Sequence, residues 1–296
     1  LLWFGGIGTF VKSAAESHAD ADDRSNDAVR VNGREIRAAV IGEGANLGMT
    51  QDGRVEYAHY GGRLNTDFID NSAGVDCSDH EVNIKILLNA VERNTKHKMS
   101  RAKRNTLLEK MTDEVGSLVL DDNYQQNQAL SMAEYRAAGQ LSLYGALLRD
   151  FEKQGVFDRK LEHLPDEETI GRMLQDNRGL TRPELSVVLS YTKIVLFQNL
   201  LESDLPDEKG MEDWLDLYFP KPLEKYRTEI LNHGLRREII ATMLANALVN
   251  RMGPVFIKSR EAKTGAGQVA IVKAFLIMMR AFDVPKLWDA IEALDN

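Results

Sequence analysis

Asn71-Ser72-Ala73-Gly74-Val75-Asp76-Cys77-Ser78-Asp79-His80-Glu81 is the stretch at which this sequence changes its period. Upstream, glycine is dense: 11 of the 22 glycines fall within residues 1–75, which makes that part rich in turns. Downstream, Val82, Ile86, Leu87, Ala90 and Val91 recur at helical spacing. All 7 prolines lie at or after Pro165, so glycine and proline divide the chain into two unlike parts. Ser78-Asp79-His80-Glu81 has the S-x-x-E form of a capping box and predicts a helix start at Ser78. Small residues leading into a helix start offer free N–H groups and a dipole that favours an anion such as a carboxylate. Ser78 read only as an N-cap accounts for the same spacing.

Working back from this stretch, the pattern is of short strands and loops. Leu1–Phe4 reads as a strand end before the turn Gly5-Gly6-Ile7-Gly8. Ala19–Asp27 reads as an acidic loop. Arg37–Ile41 reads as a buried strand entering Gly42-Glu43-Gly44-Ala45-Asn46, and Val55–Tyr57 as another short strand. Ligands of α/β sheets sit at the carboxyl ends of strands, where glycines let backbone approach closely. Gly6, Gly8 and Gly44 are placed for that, and the Asn46 amide can donate and accept hydrogen bonds. A tight turn with Asn46 in a left-handed conformation explains the same residues.

Working forward, Leu107, Leu108, Met111, Val115, Leu118 and Val119 continue the helical period. Residues 124–154 read as one or two more helices ending near Gly155. Thr181-Arg182-Pro183-Glu184 is a second capping signal, with proline in the first turn and a helix running to about Leu201. Leu215–Pro220 is a short amphipathic piece; Arg236–Arg251, Val269–Phe282 and Lys286–Leu294 follow as helices, with Thr264–Gly267 a loop.

The 296 residues carry 45 acidic and 37 basic side chains, a net charge of −8, with 43% hydrophobic and 28% charged residues. That profile excludes a disordered, collagenous or disulfide-stapled chain. The acidic balance argues against a sequence-independent nucleic-acid binder. No run of 18 apolar residues occurs, so no membrane partner is expected. The single Cys77 excludes a multi-cysteine zinc site, and the six histidines (18, 59, 80, 97, 163 and 233) never fall at ligand spacing, so no metal is expected. Cys77 reads as a small buried hydrophobe or a reactive thiol. His80 beside Glu81 is a poor acid/base pair, because adjacent helix residues do not face each other. Arg236-Arg237 and Arg101–Arg104 read as solvated helix faces. No complete G-x-G-x-x-G, P-loop, H-E-x-x-H or G-x-S-x-G is present. Leu1-Leu2-Trp3-Phe4 has no initiator Met and reads as a chain that begins inside a domain.

Several of these segments resemble one family. G-E-G-A-N-L-G-M-T (42–50) is similar to the E-G-A-N-x-P-T-T segment of glutamate dehydrogenases, and residues 71–81 to their N-A-G-G-V-T-V-S-Y-F-E segment. L-L-W-F-G-G-I-G-T (1–9), G-G-R-L-N-T-D-F-I-D-N-S-A-G-V-D (61–76), S-D-H-E-V-N-I-K (78–85), D-D-N-Y-Q-Q-N-Q (121–128), G-L-T-R-P-E-L (179–185), L-R-R-E-I-I-A-T (235–242) and L-A-N-A-L-V-N-R-M-G (244–253) resemble the bacterial, large-subunit, NAD-specific branch. The resemblance covers essentially the whole chain. It implies an α/β part followed by a mostly α part. Residues 1–98 would be the C-terminal part of a Rossmann-type, doubly wound NAD domain, and residues 99–296 a helical C-terminal domain.

The resemblance also implies NAD contacts at Asn46, Asn71, Gly44, Gly6 and Gly8, and contacts to substrate at Ser78, Val75, Asn71 and Gly74. Ser78 would hold the side-chain carboxylate of L-glutamate. Leu47-Gly48, Ala73 and Asp76-Cys77 depart from the family pattern. The family's glycine-rich turn and its catalytic lysine and aspartate would lie before Leu1, so no residue here takes a catalytic role and the isolated chain is expected to be inactive. A cytoplasmic bacterial homo-oligomer is the implied setting. Two rivals stand beside this reading: a non-catalytic helical module for oligomerisation or regulation of the same enzyme, and a complete small dehydrogenase, against which the missing glycine-rich turn speaks.

Overall fold

The structure, a computed structural model, describes residues 1–94 and 99–295. It is mostly helical, with four short strands at its start: β1 (Leu2–Phe4), β2 (Val11–Lys12), β3 (Val31–Asn32) and β4 (Ile41–Glu43). β1 pairs in parallel with β4, setting Leu2 beside Ile41, Trp3 beside Gly42 and Phe4 beside Glu43. β2 pairs in parallel with β3. The expected strand Arg37–Ile41 lies further along, at Ile41–Glu43. Pairing with β1 decides this: only these three residues face its three.

Helix α1 (Gln51–His59) replaces the strand expected at Val55–Tyr57. Thr50 Oγ1 accepts from Gly53 N at 3.0 Å and caps it. Arg54 and Tyr57, three apart, are both buried, which fits a helical face as well as an apolar-polar-apolar triplet fits a strand. α2 (Asp67–Asp70) runs almost directly into α3 (Ser72–Arg93). The helix expected to begin at Ser78 is therefore already under way there. Asn71 N bonds Asp67 O at 2.8 Å, so the turn that starts α3 is supplied by α2 rather than by a serine cap.

α4 (Arg101–Lys153) is a single helix of 53 residues where two or three were expected, ending just before Gly155 at φ +68°. Its glycines, Gly116, Gly139 and Gly145, all lie inside it. The expected domain boundary after residue 98 falls within 95–98, outside the described residues, as does His97.

The remaining helices are α5 (Glu167–Gln175), α6 (Arg182–Glu202), α7 (Asp213–Tyr218), α8 (Arg227–Leu231), α9 (Arg236–Met252), α10 (Phe256–Thr264), α11 (Gln268–Ala281) and α12 (Val284–Glu292). The capping box at Thr181 forms as expected: the Glu184 carboxylate accepts from Thr181 N at 2.6 Å. α6 buries residues on every side, among them Leu185, Val188, Leu189 and Leu196, so it forms the centre of the helical part and packs on α4 and α9. Arg236 and Arg237 are not simply solvated: Arg237 donates to the carbonyls of Leu201 and Ser203 at the end of α6, and Arg236 pairs with Asp207.

Two apolar cores result. Phe4, Val11, Ile41, Met49, Tyr57 and Leu64 make the smaller one around the strands. The larger runs from Ile69 through α3, α4, α6 and α9 to Phe275. Among the described residues, no single helix is long and apolar enough to cross a membrane.

Candidate functional site

Parallel pairing of β1 and β4 brings their carboxyl ends side by side, so the loops that follow them meet. Ala45 N donates to Phe4 O at 2.9 Å, Phe10 N to Gly48 O at 2.9 Å, and Thr9 Oγ1 to Leu47 O at 2.9 Å. Gly6, Gly8, Gly44 and Asn46 are thereby gathered at one edge of the sheet. Gly6 is open: a methyl group there would meet nothing within 4 Å. Gly44 is the opposite, because a Cβ would lie 2.2 Å from the Trp3 ring, which packs over Gly44 while remaining 61% exposed itself.

The loop after β4 is strained and held. Leu47, next to Asn46, has φ +65°, a left-handed conformation that costs a leucine roughly 1–2 kcal/mol. Its N–H donates to Asp67 Oδ2 at 2.8 Å and its carbonyl accepts from Thr9. Beneath it lies a buried charge network. Arg54 donates to both oxygens of Glu43 at 2.6 and 2.8 Å and lies 3.2 Å from Asp67. Asp70 accepts from Glu43 N at 2.8 Å and from Asn65 Nδ2 at 2.6 Å. Burial pushes the Glu43 and Asp70 carboxyls up, against the pull of Arg54 on both.

The start of α3 completes the arrangement. Asn71 Nδ2 donates to Asn46 Oδ1 at 3.1 Å. The spacing of Asn71, Gly74, Val75 and Ser78 places them on one stripe of α3, and Gly74, Val75 and Ser78 are all exposed. Ser78 Oγ donates back to Gly74 O at 3.1 Å. The argument from free N–H groups at Ser78 does not hold, because Ser78 lies six residues inside the helix; its hydroxyl is what it offers. Cys77 is exposed, not buried.

Residues that the sequence reading passed over hold this edge against the helical part. Asn123 Nδ2 donates to Ser72 Oγ at 2.8 Å and to Ile69 O at 3.2 Å. Arg182 Nε donates to Asn65 Oδ1 at 2.6 Å, and its other nitrogens reach Asn127, Ser131 and Glu134. Polar side chains inside D-D-N-Y-Q-Q-N-Q and the arginine of T-R-P-E thus brace the turn from α2 to α3. The break in the apolar stripe at residues 121–128 was the available signal for Asn123 and Asn127. His80 is buried and stacks on Tyr218, centroids 4.3 Å apart, while Glu81 pairs with Lys85 in solvent, so the two are no acid/base pair. Among the described residues no group of three histidine, cysteine or acidic side chains has the geometry to hold a metal ion.

Comparison with known proteins gives the family of the chain. The family model for the bacterial NAD-glutamate dehydrogenase catalytic domain matches residues 1–133, and that for the glutamate dehydrogenase C-terminal region matches residues 177–296. The chain belongs to the bacterial NAD-glutamate dehydrogenase family. It is 48% identical over 297 aligned positions to the NAD-specific glutamate dehydrogenase of Halomonas elongata, and 50% identical over 296 to that of Pseudomonas aeruginosa. It is 43% identical over 295 positions to that of Mycobacterium tuberculosis. These alignments take in 99–100% of this chain but only 18% of each relative, so the chain spans under a fifth of the length of the family members it matches.

Proposed function

We propose that this chain is part of an NAD-dependent glutamate dehydrogenase, which oxidatively deaminates L-glutamate to 2-oxoglutarate and ammonia. Residues 1–98 are the C-terminal part of a Rossmann-type NAD domain and residues 99–296 a helical C-terminal domain. NAD, when bound, accepts the hydride from the substrate carbon. This chain's part is to orient: Asn46, Asn71, Gly44, Gly6 and Gly8 contact the cofactor, while Ser78, Val75, Asn71 and Gly74 form the wall that receives glutamate. The Ser78 hydroxyl donates to the substrate's side-chain carboxylate, and Val75 packs on its methylenes. No catalytic acid, base or nucleophile is assigned within this chain. The setting is a cytoplasmic homo-oligomer.

The observation that carries the reading is the Asn46–Asn71 hydrogen bond. It joins the loop at a strand's carboxyl end, where α/β folds bind cofactors, to the helix stripe proposed for substrate. The exposed Gly6 and Asn46 fit NAD, whereas Gly8 is buried, with a Cβ there 2.7 Å from Asn26 Nδ2, and offers at most its backbone.

The test is a chimera in which this chain replaces the matching segment of the Pseudomonas aeruginosa enzyme. The chimera should reduce NAD in the presence of glutamate. Ser78→Ala in it should raise KM for glutamate roughly 10–100-fold, the loss of one hydrogen bond to a charged group. An active chimera whose KM ignores Ser78→Ala refutes the substrate assignment. The isolated chain should show no glutamate-dependent NADH formation.

A second reading has its own observation. Ile277, Phe282, Leu287 and Ile291 on and beside α11 and α12 are exposed, an apolar face that fits an assembly or regulatory role for residues 99–296. Light scattering of the chain reads this out: a strict monomer at micromolar concentration removes it.

A further inference from the structure

Arg182 opens α6, in the helical part, yet its hydrogen bonds lead to the strand edge. Two features fix its place. Gly179 runs so close to α4 that a Cβ on it would meet Ala137 Cβ at 2.4 Å, and the Thr181–Glu184 capping box holds the first turn of α6. All five guanidinium N–H groups then find acceptors. Nη1 reaches Ser131 Oγ at 3.0 Å and Glu134 Oε2 at 3.3 Å, and Nη2 reaches Asn127 O at 3.2 Å and Asn127 Oδ1 at 3.4 Å. These four bonds fasten the fork to α4. The fifth, from Nε to Asn65 Oδ1 at 2.6 Å, leaves the helical part.

Asn65 passes the constraint on. Its amide nitrogen donates to Asp70 Oδ1 at 2.6 Å and to Asn127 Oδ1 at 2.8 Å, so the side chain is held at both ends. The other oxygen of Asp70 accepts at 2.8 Å from the N–H of Glu43, the last residue of β4. Asp70 also directly precedes Asn71. One carboxylate therefore holds both sides of the Asn46–Asn71 contact: the strand end that leads to Gly44 and Asn46, and the turn that carries Asn71. Burial pushes the Asp70 pKa up; the bonds from Asn65 and Glu43 N and the charge of Arg182 oppose this and favour the ionised acceptor. The turn has a separate brace in Asn123, on Ser72 Oγ and Ile69 O. What the Arg182 chain adds is its far end, a backbone N–H of the proposed cofactor edge.

We infer that Arg182 is a positioning residue for NAD: through Asn65 and Asp70 it sets the carboxyl end of β4 against Asn71, so the helical part governs cofactor affinity. The inference rests on the dehydrogenase reading above. Lysine does not substitute for Arg182, because an ammonium has three donors and no fixed fork.

Two measurements test it. In the whole chain, NMR-detected hydrogen exchange reads the Glu43 amide. Arg182→Gln and Asn65→Ala should each speed its exchange about tenfold or more while the α11 amides keep their rates. In the chimera described above, each variant should raise KM for NAD about tenfold and change kcat at saturating NAD by less than about threefold. Arg182→Lys should resemble Arg182→Gln. Asn65→Ala is the sharper variant, because Arg182 keeps its four bonds to α4; it serves alone if Arg182→Gln fails to fold by circular dichroism. The double variant should be no worse than the worse single one, since both cut the same chain. A merely structural role would lower the melting temperature and leave KM for NAD alone. A Glu43 amide that ignores both variants, an active chimera with unchanged KM for NAD, or effects that multiply in the double variant overturns the inference and leaves the dehydrogenase reading standing. A chimera that does not reduce NAD refutes that reading and the cofactor role of Arg182 with it.

Discussion

Replacing Arg54 with leucine should uncouple the strand edge from its support. Among the described residues Arg54 is the one cation within hydrogen-bond reach of Glu43, a side chain with no exposed surface, and it also neutralises Asp67. Arg54→Leu leaves the Glu43 carboxylate buried without a partner and Asp67 with only the backbone N–H groups of Leu47 and Phe68, which costs about 3–5 kcal/mol. The sign of the pH dependence follows from Glu43. Burial already raises its pKa, and losing Arg54 raises it further. A carboxyl group raised in the folded state binds its proton more tightly there than when unfolded. The variant is therefore least impaired below the ordinary carboxyl range. Its deficit grows as the pH climbs from about 4.5 through the raised folded value. Urea unfolding between pH 4.5 and 8, followed by Trp3 fluorescence with Trp214 and Trp288 replaced by Phe, reads the strand edge directly. The double variant Arg54→Leu/Glu43→Leu should recover much of the loss, since replacing both partners by apolar groups removes the stranded charge. A cost below about 1 kcal/mol at pH 7, or a double variant no better than the single one, would refute the argument.

Other outcomes follow from the same geometry. Gly44→Ala would place a methyl group 2.2 Å from the Trp3 ring, so the ring must move and Trp3 emission should shift to the red; an unchanged spectrum contradicts the packing described. Leu130→Ala, in a fully buried position on α4, should cost about 2–5 kcal/mol in thermal or urea unfolding. Ser78→Ala should leave stability within about 0.5 kcal/mol, because Ser78 is exposed and bonds only its own helix; a larger loss would give Ser78 a structural role. Thr181→Ala should cost roughly 0.5–2 kcal/mol by removing half of the capping box of α6.

The helical part was largely legible in the sequence because its signals are local. The Thr181 box, the start of α9 at Arg236 and the end of α4 before Gly155 each depend on residues within one turn. Ser78 shows how a local signal fails. S-x-x-E marks a helix start only if no helix precedes it, and here α2 feeds α3 from behind. The sequence divides α4 into shorter helices because its apolar stripe weakens between Val119 and Ala129, where Asp122, Asn123 and Asn127 stand instead. Those side chains face polar partners on α3, Arg182 and Asn250 rather than marking a break. The site was legible in its outline, since glycine loops and the Asn71–Ser78 stretch are contiguous. Its support was not: Asn65 and Arg182 meet across 117 residues, and no single sequence states which distant polar groups pair.

α4 also constrains how this chain can change. Each residue of an α-helix turns the next by about 100°, so a one-residue insertion between Asn127 and Leu141 would rotate one half of α4 against the other. Asn123 and Asn127 would then lose the α3 turn and Arg182, or Leu141, Tyr144 and Leu148 would leave the large core; both sets cannot keep their partners. Changes of about seven or eleven residues nearly restore the angle, but they move the two halves apart by about 10 Å or more along the axis. The rod therefore works as a phase lock between the strand edge and the helical core. Its length is fixed in register, with substitution tolerated far more readily than insertion.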